Sequence, residues 1–368
     1  MTTIRRLGRL SVLPLAAMFA AAVLVACGGD TAAPKATATS TPTATPAAAK
    51  ATPSPAATPS GAITVYSGRN EALIAPIIKR FSEKTGVTVN VRYGDTTALA
   101  ATLLEEKDRT PADVYIAQDG GALGLVEHAG LFATLDETIL APVQPTYKSA
   151  AKQWVGLSGR ARVIVYNPKN TQADTLPKSI LELTDPKWKG KIGWAPTNAS
   201  LQSFVTALRV QQGEAKAKAW LEGVKANSPK EFSSNGAIVQ AVSKGEVTIG
   251  LVNHYYAYQI GQQDPTLSAK NHYTAPGDIG TLVNVAGAGV LKSSKNPVAA
   301  NALIAFLVGN EGQKYFVEQT FEYPVVSTVT ANSDVKAIGE IKPPAVDLNK
   351  LEDLQGTLKL MREVGVLK

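Results

Sequence analysis

From Ile63 onward, short apolar runs of strand composition alternate with stretches whose apolar residues recur at helical spacing, and this alternation restricts the fold. Ile63–Tyr66 reads as a strand that stops at Ser67-Gly68-Arg69-Asn70. Leu73, Ile74, Ile77, Ile78 and Phe81 then mark one face of a helix, with Gly86 placed as its C-cap and Pro76 expected to kink it or delay its start. Val87–Tyr93 is a second strand, Thr96–Lys107 a helix, Ala112–Ile116 a third strand and Ala122–Ala129 a helix. Strand-helix-strand units of this kind build a parallel sheet, whose ligand sites lie in the loops at the carboxyl ends of the strands. Here those loops are Ser67–Asn70, Gly94–Thr97 and Ala117–Gly121.

The second half repeats the alternation without repeating the sequence. Strands are expected at Arg160–Tyr166, Lys191–Ala195, His272–Thr274 and Leu282–Leu291. Helices are expected from Leu201 through Leu208, over Ala215–Val224, over Gly236–Ser243 (capped by Ser234 or Asn235), and over Pro297–Val308, Glu311–Val317 and Glu352–Val364. The economical architecture is α/β: two lobes, each a mixed sheet flanked by helices, joined by Arg160–Tyr166 and Leu282–Leu291 as crossing strands and hinge. The expected boundaries are 62–158 with 283–335 for an N-lobe, and 159–282 with 336–368 for a C-lobe.

The residues before the body have a different character. Arg5, Arg6 and Arg9 precede an apolar run, Leu10–Val25, that ends at Ala26-Cys27-Gly28. That is a positive n-region, a short h-region and a small-residue cut, so residues 1–26 read as an export signal. Cys27, the only cysteine of the chain, lies where a lipoprotein signal needs its lipidation site, and Leu24-Val25-Ala26-Cys27 resembles a lipobox. With one cysteine no intrachain disulfide can form. Residues 27–61 are almost wholly Ala, Thr, Pro and Ser, too poor in apolar surface to offset ordering entropy, and read as a disordered linker. Together these imply an exported protein, lipid-anchored to the outer face of the cell membrane or periplasmic. Removing residues 1–26 lowers the formal charge from +7 to +4, and no basic run concentrates it. Nucleic-acid binding gets no support from such a balance.

The chemistry-bearing stretch is Val247–Tyr258. An apolar run ends at Asn253, and Tyr255 and Tyr256 follow almost at once. On a strand two adjacent hydroxyls would point to opposite faces; on the first turn of a helix they can converge. Core packing is the competing use. Catalytic motifs are missing: there is no G-x-S-x-G, H-E-x-x-H, P-loop or G-x-G-x-x-G opening a helix. The three histidines, His128, His254 and His272, show no metal-ligand spacing. An enzyme reading has little to hold, and an exported hydrolase or a passive adhesin on a stalk is supported only by the linker.

Six segments taken together carry a resemblance. They are Val65-Tyr66-Ser67-Gly68-Arg69, Pro111-Ala112-Asp113-Val114, Leu157 to Val163 (L-S-G-R-A-R-V), Asp185 to Gly193 (D-P-K-W-K-G-K-I-G), Val252-Asn253-His254-Tyr255-Tyr256, and Ala286 to Leu291 (A-G-A-G-V-L). In order and spacing, across Ala62–Val326, the chain resembles the periplasmic ferric-ion-binding proteins of iron ABC importers. The resemblance implies a type II periplasmic binding protein fold that closes on its ligand, a monomer, and delivery to an ABC permease. It implies Fe(III) as the cargo, held by the phenolates of Tyr255 and Tyr256, with carbonate or phosphate as a synergistic anion. A small, hard, highly charged cation prefers anionic oxygen to thiolate or neutral imidazole.

The remaining family ligands depart from the pattern. Asn70 stands where many members have His, and Gln118, followed by Asp119, stands where some have a carboxylate. Neither neutral amide replaces such a ligand well. Exogenous anions, Asp119 or another tyrosine are then the alternatives, or the cargo is not ferric iron. Asn70 is equally placed to cap a helix, and Gln118-Asp119 to form a solvated turn. Anion-binding candidates are Asn198, Ala199 and Ser200 at a helix start, Asn235, Asn253, and the alternate strand residues Arg160 and Arg162, with Arg69 in the first loop. A surface pair or a structural salt bridge is the competing use of the two strand arginines. The same fold binding an oxyanion or a small organic solute, such as a phosphonate or a polyamine, stays open.

Overall fold

The computed structural model describes residues 58–368. The expected export signal, Cys27 and nearly all of the linker lie outside the described residues. The body opens with β1 (Ala62–Ser67), α1 (Glu71–Thr85), β2 (Thr88–Tyr93), α2 (Thr96–Glu106), β3 (Val114–Ala117), α3 (Gly120–His128) and the single turn α4 (Glu137–Leu140). A long strand, β4 (Val155–Tyr166), leads to β5 (Ile192–Trp194), α5 (Ala199–Gln212), α6 (Glu214–Ala226), β6 (Lys230–Glu231) and α7 (Asn235–Lys244). Then come β7 (Ile249–Asn253), α8 (Tyr255–Gln263), β8 (Lys270–His272) and β9 (Val283–Val290). Helices α9 (Pro297–Val308), α10 (Asn310–Thr320), α11 (Ile338–Ile341) and α12 (Leu354–Glu363) finish the chain.

The strands follow the order β2-β1-β3-β9-β4-β7-β5-β6, with β8 added beside β4. The pairs β1–β2 and β1–β3 are parallel, as the strand-helix alternation requires, while β9 runs antiparallel between β3 and β4. β4 is the crossing strand. Its first half, Val155–Ala161, pairs with β9, and its second half, Arg162–Tyr166, pairs with β7. It begins five residues before the expected start, because the small residues Gly156 and Gly159 continue the ladder that apolar patterning alone does not mark. β9 stays in the first half. The chain reaches it through Leu282, whose carbonyl accepts from the Arg162 N–H at 2.9 Å.

Helix α1 begins five residues before Pro76 and runs nine beyond it. Its buried stripe of Leu73, Ile74, Ile77, Ile78 and Phe81 holds it on the sheet, so the missing N–H neither delays nor ends it. Gly86 at φ 74° closes α1 with a left-handed C-cap. Two other expectations shift by a few residues. The strand foreseen at His272–Thr274 is Lys270–His272, and the last helix starts at Leu354 after a separate short turn, Leu348–Leu351. That turn packs on both α3 and α5. Among the described residues no helix is long and apolar enough to cross a membrane.

The three loops at the carboxyl ends of β1, β2 and β3 are laced together by Thr96. Its hydroxyl donates to the Gly68 carbonyl at 3.1 Å and accepts from the Gln118 N–H at 3.2 Å, while its carbonyl accepts from the Tyr115 hydroxyl at 2.7 Å. Gly68 is required here: a Cβ would lie 2.0 Å from the Thr96 hydroxyl.

Candidate functional site

Tyr255 and Tyr256 form the first turn of α8, directly after β7. Their rings stack with centroids 4.3 Å apart and planes 28° from parallel, so the corner does what a strand could not. Tyr255 is fully buried and Tyr256 partly so. Burial, with Tyr255 alongside, pushes the Tyr256 phenol well above its ordinary pKa. The opposite loop reaches the pair through Gln118, whose Nε2 donates to the Tyr255 hydroxyl at 3.4 Å.

Beside the phenols lies a polar network drawn from four elements. Arg160 Nη1 donates to the Ser200 hydroxyl at 3.3 Å, and Asn253 Nδ2 donates to the same oxygen at 3.1 Å. Arg162 Nη1 donates to Asn253 Oδ1 at 3.2 Å. Asn198 Oδ1 accepts from the Ser200 N–H at 3.1 Å, capping α5, and from Asn235 Nδ2 at 3.3 Å. Ala199 is the first residue of α5, buried at the same helix start. Neither arginine is at the surface: Arg160 and Arg162 are 2% and 5% exposed, and among the described residues neither has a carboxylate partner within ion-pair distance. Burial, then repulsion from Arg160, pushes Arg162 down to about 10, still charged at neutral pH. Two buried guanidiniums, with the Asp119 and Glu322 carboxylates near Arg160 but neither paired with it, favour a ligand that carries negative charge.

The loop residues on the facing side are committed elsewhere. Asn70 is exposed, and its Oδ1 accepts from the Ala72 N–H at 2.9 Å, so it caps α1. Asp119 caps α3 through Oδ1, 3.1 Å from the Ala122 nitrogen. Gln118-Asp119 is not a solvated turn: the two residues are 6% and 1% exposed, because Leu348–Leu351 lies over the start of α3. Burial, opposed by Arg160, pushes Asp119 up to about 6. Gln118 Oε1, Asp119 Oδ2 and Arg160 Nε are buried without hydrogen-bond partners among the described residues. Arg69, an anion candidate by sequence, gives Nη1 and Nη2 to Glu322 at 2.8 and 2.7 Å in a fully buried pair. Three other tyrosines are engaged elsewhere: Tyr258 stacks on Phe321 at 5.6 Å, and Tyr115 and Tyr66 hydrogen-bond to Thr96 and Glu106.

Sequence reasoning missed three contributors. Thr96 and Glu322 have no local pattern to mark them. His254 was visible, but metal-ligand spacing is the wrong test for it. Its Nδ1 accepts from the Ala161 N–H at 3.1 Å and its Nε2 meets the Phe321 carbonyl at 2.9 Å, so the proton sits on Nε2. Burial, opposed by the Glu322 charge, leaves it at about 4, a neutral imidazole used as a structural tie.

Residues 109–353 match the family described as bacterial extracellular solute-binding protein. The chain belongs to this family. Its members bind solutes, and no enzyme is described among these relatives. The solute-binding protein is 34% identical over 315 residues to the Fe(3+)-binding periplasmic protein of Serratia marcescens, covering 85% of this chain and 93% of that one. It is 33% identical to the major ferric iron-binding protein of Neisseria meningitidis serogroup B, over 84% of this chain and 95% of the relative. Among solved structures, iron-bound HitA from Pseudomonas aeruginosa superposes with a TM-score of 0.80 at 37% identity, covering 83% of this chain and 99% of that one. A Trichodesmium protein (IdiA, FutA) in complex with iron and citrate gives 0.70 at 30% identity, with the same coverage. The type II periplasmic binding fold is the one these neighbours share.

Proposed function

We propose that this protein captures ferric iron together with an anion outside the cytoplasm and delivers it to an ABC permease. The observation that carries the reading is the stacked pair Tyr255–Tyr256 at the β7–α8 corner, next to the Arg160–Ser200–Asn253–Arg162 network. Two phenolates supply the hard anionic oxygens that Fe(III) prefers, and the cation's charge makes the phenol protons easy to lose. The iron and ferric names of the Serratia, Neisseria and Pseudomonas proteins support the same cargo.

An anion, carbonate or phosphate, completes the coordination. Arg160, with the helix start Asn198-Ala199-Ser200 and the amides of Asn235 and Asn253, faces it. Asn70 is spent on capping, which leaves Gln118 and Asp119 as the protein groups able to approach from the other wall. The citrate of the Trichodesmium structure supports a carboxylate anion as a further choice. A polyamine fits poorly beside two buried guanidiniums. A plain oxyanion would use the arginines without the phenols, and that reading is the one to exclude.

The hinge reading follows from β4, whose halves pair with different neighbours, and supports lobes at 62–158 with 283–335 and 159–282 with 336–368. Export, lipidation at Cys27 and a monomeric state remain part of the proposal. The test is a titration with ferric citrate and bicarbonate. A red-orange tyrosinate-to-iron band should develop, fade as acid returns the phenol protons, and be absent from the Tyr255→Phe, Tyr256→Phe double variant. A colourless wild type, or a coloured double variant, rejects iron.

A further inference from the structure

The segment Thr320–Tyr323 lies at the end of α10 and is not itself one of the loops that the strand pattern marks as ligand sites. All four residues are buried, at 1%, 3%, 1% and 1% exposure. Phe321 adopts φ 56° and ψ 27°, the left-handed region that bulky residues avoid. Five non-glycine residues among those described have positive φ, and Phe321 is the only buried one. A strained, buried turn persists only where its surroundings over-determine it.

Those surroundings connect three parts of the molecule. From the first loop, Arg69 clamps both Glu322 carboxylate oxygens, and the Thr320 hydroxyl donates to Oε2 at 2.8 Å. From the crossing strand, Gly159 exchanges two backbone hydrogen bonds with Tyr323, at 2.7 and 2.9 Å. From the tyrosine helix, His254 Nε2 donates to the Phe321 carbonyl at 2.9 Å and Gln259 Nε2 donates to the Thr320 carbonyl at 2.8 Å. Tyr258 stacks on Phe321 at 14°, and Tyr323 stacks on the His254 ring at 4.7 Å. His254 and Tyr258 are one helical turn apart, so α8 presents one face to the turn. Tyr255 and Tyr256 lie between them in the chain.

We propose that Glu322 is a positioning residue for the tyrosine pair: by locking Arg69 it holds the Thr320–Tyr323 turn, and the turn sets the rotation of α8 that brings the two phenol oxygens together. The bidentate clamp supplies direction, and the Glu322 charge cancels that of Arg69, so the clamp adds little net field at the phenols. A buried bidentate ion pair is well suited to fixing one register among several. The inference rests on Tyr255 and Tyr256 as the cargo ligands, but it has a consequence that needs no cargo. The stacked phenols should give the cargo-free protein a near-ultraviolet circular dichroism band, identified as the signal lost in Tyr255→Phe, Tyr256→Phe.

The experiment uses the double variant Arg69→Met, Glu322→Leu, which removes the pair without leaving a lone buried charge. It should keep a cooperative melt within a few degrees of wild type, lose that circular dichroism band, shift the tyrosinate-to-iron band, and bind iron about 10- to 100-fold more weakly, as for loss of a ligand-orienting partner. Wild-type dichroism and wild-type colour in the folded variant overturn the proposal. Should it not fold, His254→Asn, which can accept from Ala161 but not reach Phe321, uncouples α8 from the turn with the ion pair intact. It should show the same two spectral changes, and its failure to do so equally overturns the idea. A wild type that takes no colour would reject the iron reading alone, while the dichroism would still decide the positioning role.

Discussion

The two sides of the site are built from the same kind of element, a loop at the carboxyl end of a strand leading into a helix, yet they carry unequal chemistry. On the side of β7, α8 and α5, the two phenols stack against each other and the arginine-serine-asparagine network lies beside them. On the side of β1 and β3, Asn70 and Asp119 each spend a side-chain oxygen on a helix N-terminus, and Gln118 offers a neutral amide. Both walls cap a helix, Asn198 doing so on the first, but only the first also carries phenols and guanidiniums; the other touches the phenol through a single hydrogen bond. The difference teaches that residues at equivalent positions of a fold are not equivalent ligands. What matters is whether the helix that follows has already taken their oxygens.

The strongest way to break this asymmetry is to empty the rich wall. Tyr255→Phe with Tyr256→Phe should abolish the charge-transfer band at every pH, measured by absorbance titration with ferric citrate, while the oxyanion network stays intact. Next in size is the lock behind that wall. Glu322→Gln leaves Arg69 charged, buried and unpaired, and should cost about 3–5 kcal/mol in a denaturant melt. Burial opposes ionisation of Glu322, but the Arg69 charge and hydrogen bonds outweigh it and hold its pKa below the ordinary value. A depressed carboxylate contributes stability above the unfolded-state pKa, about 4.3, and loses it as the pH falls further. The acid arm of the stability profile should therefore be shallower in Glu322→Gln than in wild type.

The comparison can be sharpened by enriching the poor wall. Gln118→Glu puts an anionic oxygen where Gln118 now meets Tyr255, and iron should bind about tenfold more tightly at neutral pH, read by competition with citrate. An unchanged affinity would mean that the facing loop does not reach the cargo. The smallest effect belongs to Asn70→Ala. It should lower stability by about 1 kcal/mol, the usual worth of an N-cap, and leave the colour as it is. A loss of colour there would make Asn70 a ligand and remove half of the asymmetry.

Much of this was legible from the residues. The βαβ units and the loops at the carboxyl ends of their strands follow from periodicities that each segment carries within itself, whereas the helix that starts at Tyr255 was only one of the open readings of the doublet. The polar residues of the rich wall were also found, because Asn198-Ala199-Ser200 and Arg160-x-Arg162 are local patterns. The limits appear where a side chain had two uses. Asn70 reads equally as a cap or a ligand, and Gln118-Asp119 reads as a solvated turn until Leu348–Leu351 is seen to cover it. Arg69 looked like a free cation until its partner came from 253 positions away.

By itself, then, the sequence determined the alternation of strands and helices, the tyrosine doublet at the end of an apolar run, and the excess of anion-friendly groups in the same half of the chain. The tertiary structure decided which of those groups are free to bind. It turned Arg69 toward Glu322, made His254 a neutral tie instead of a ligand, and buried Asp119. The physical reason is that hydrogen-bond capacity is finite and charges in a buried site must be matched. A residue's type limits what it can do, but only its neighbours, most of them distant in the chain, determine how much of that capacity is left.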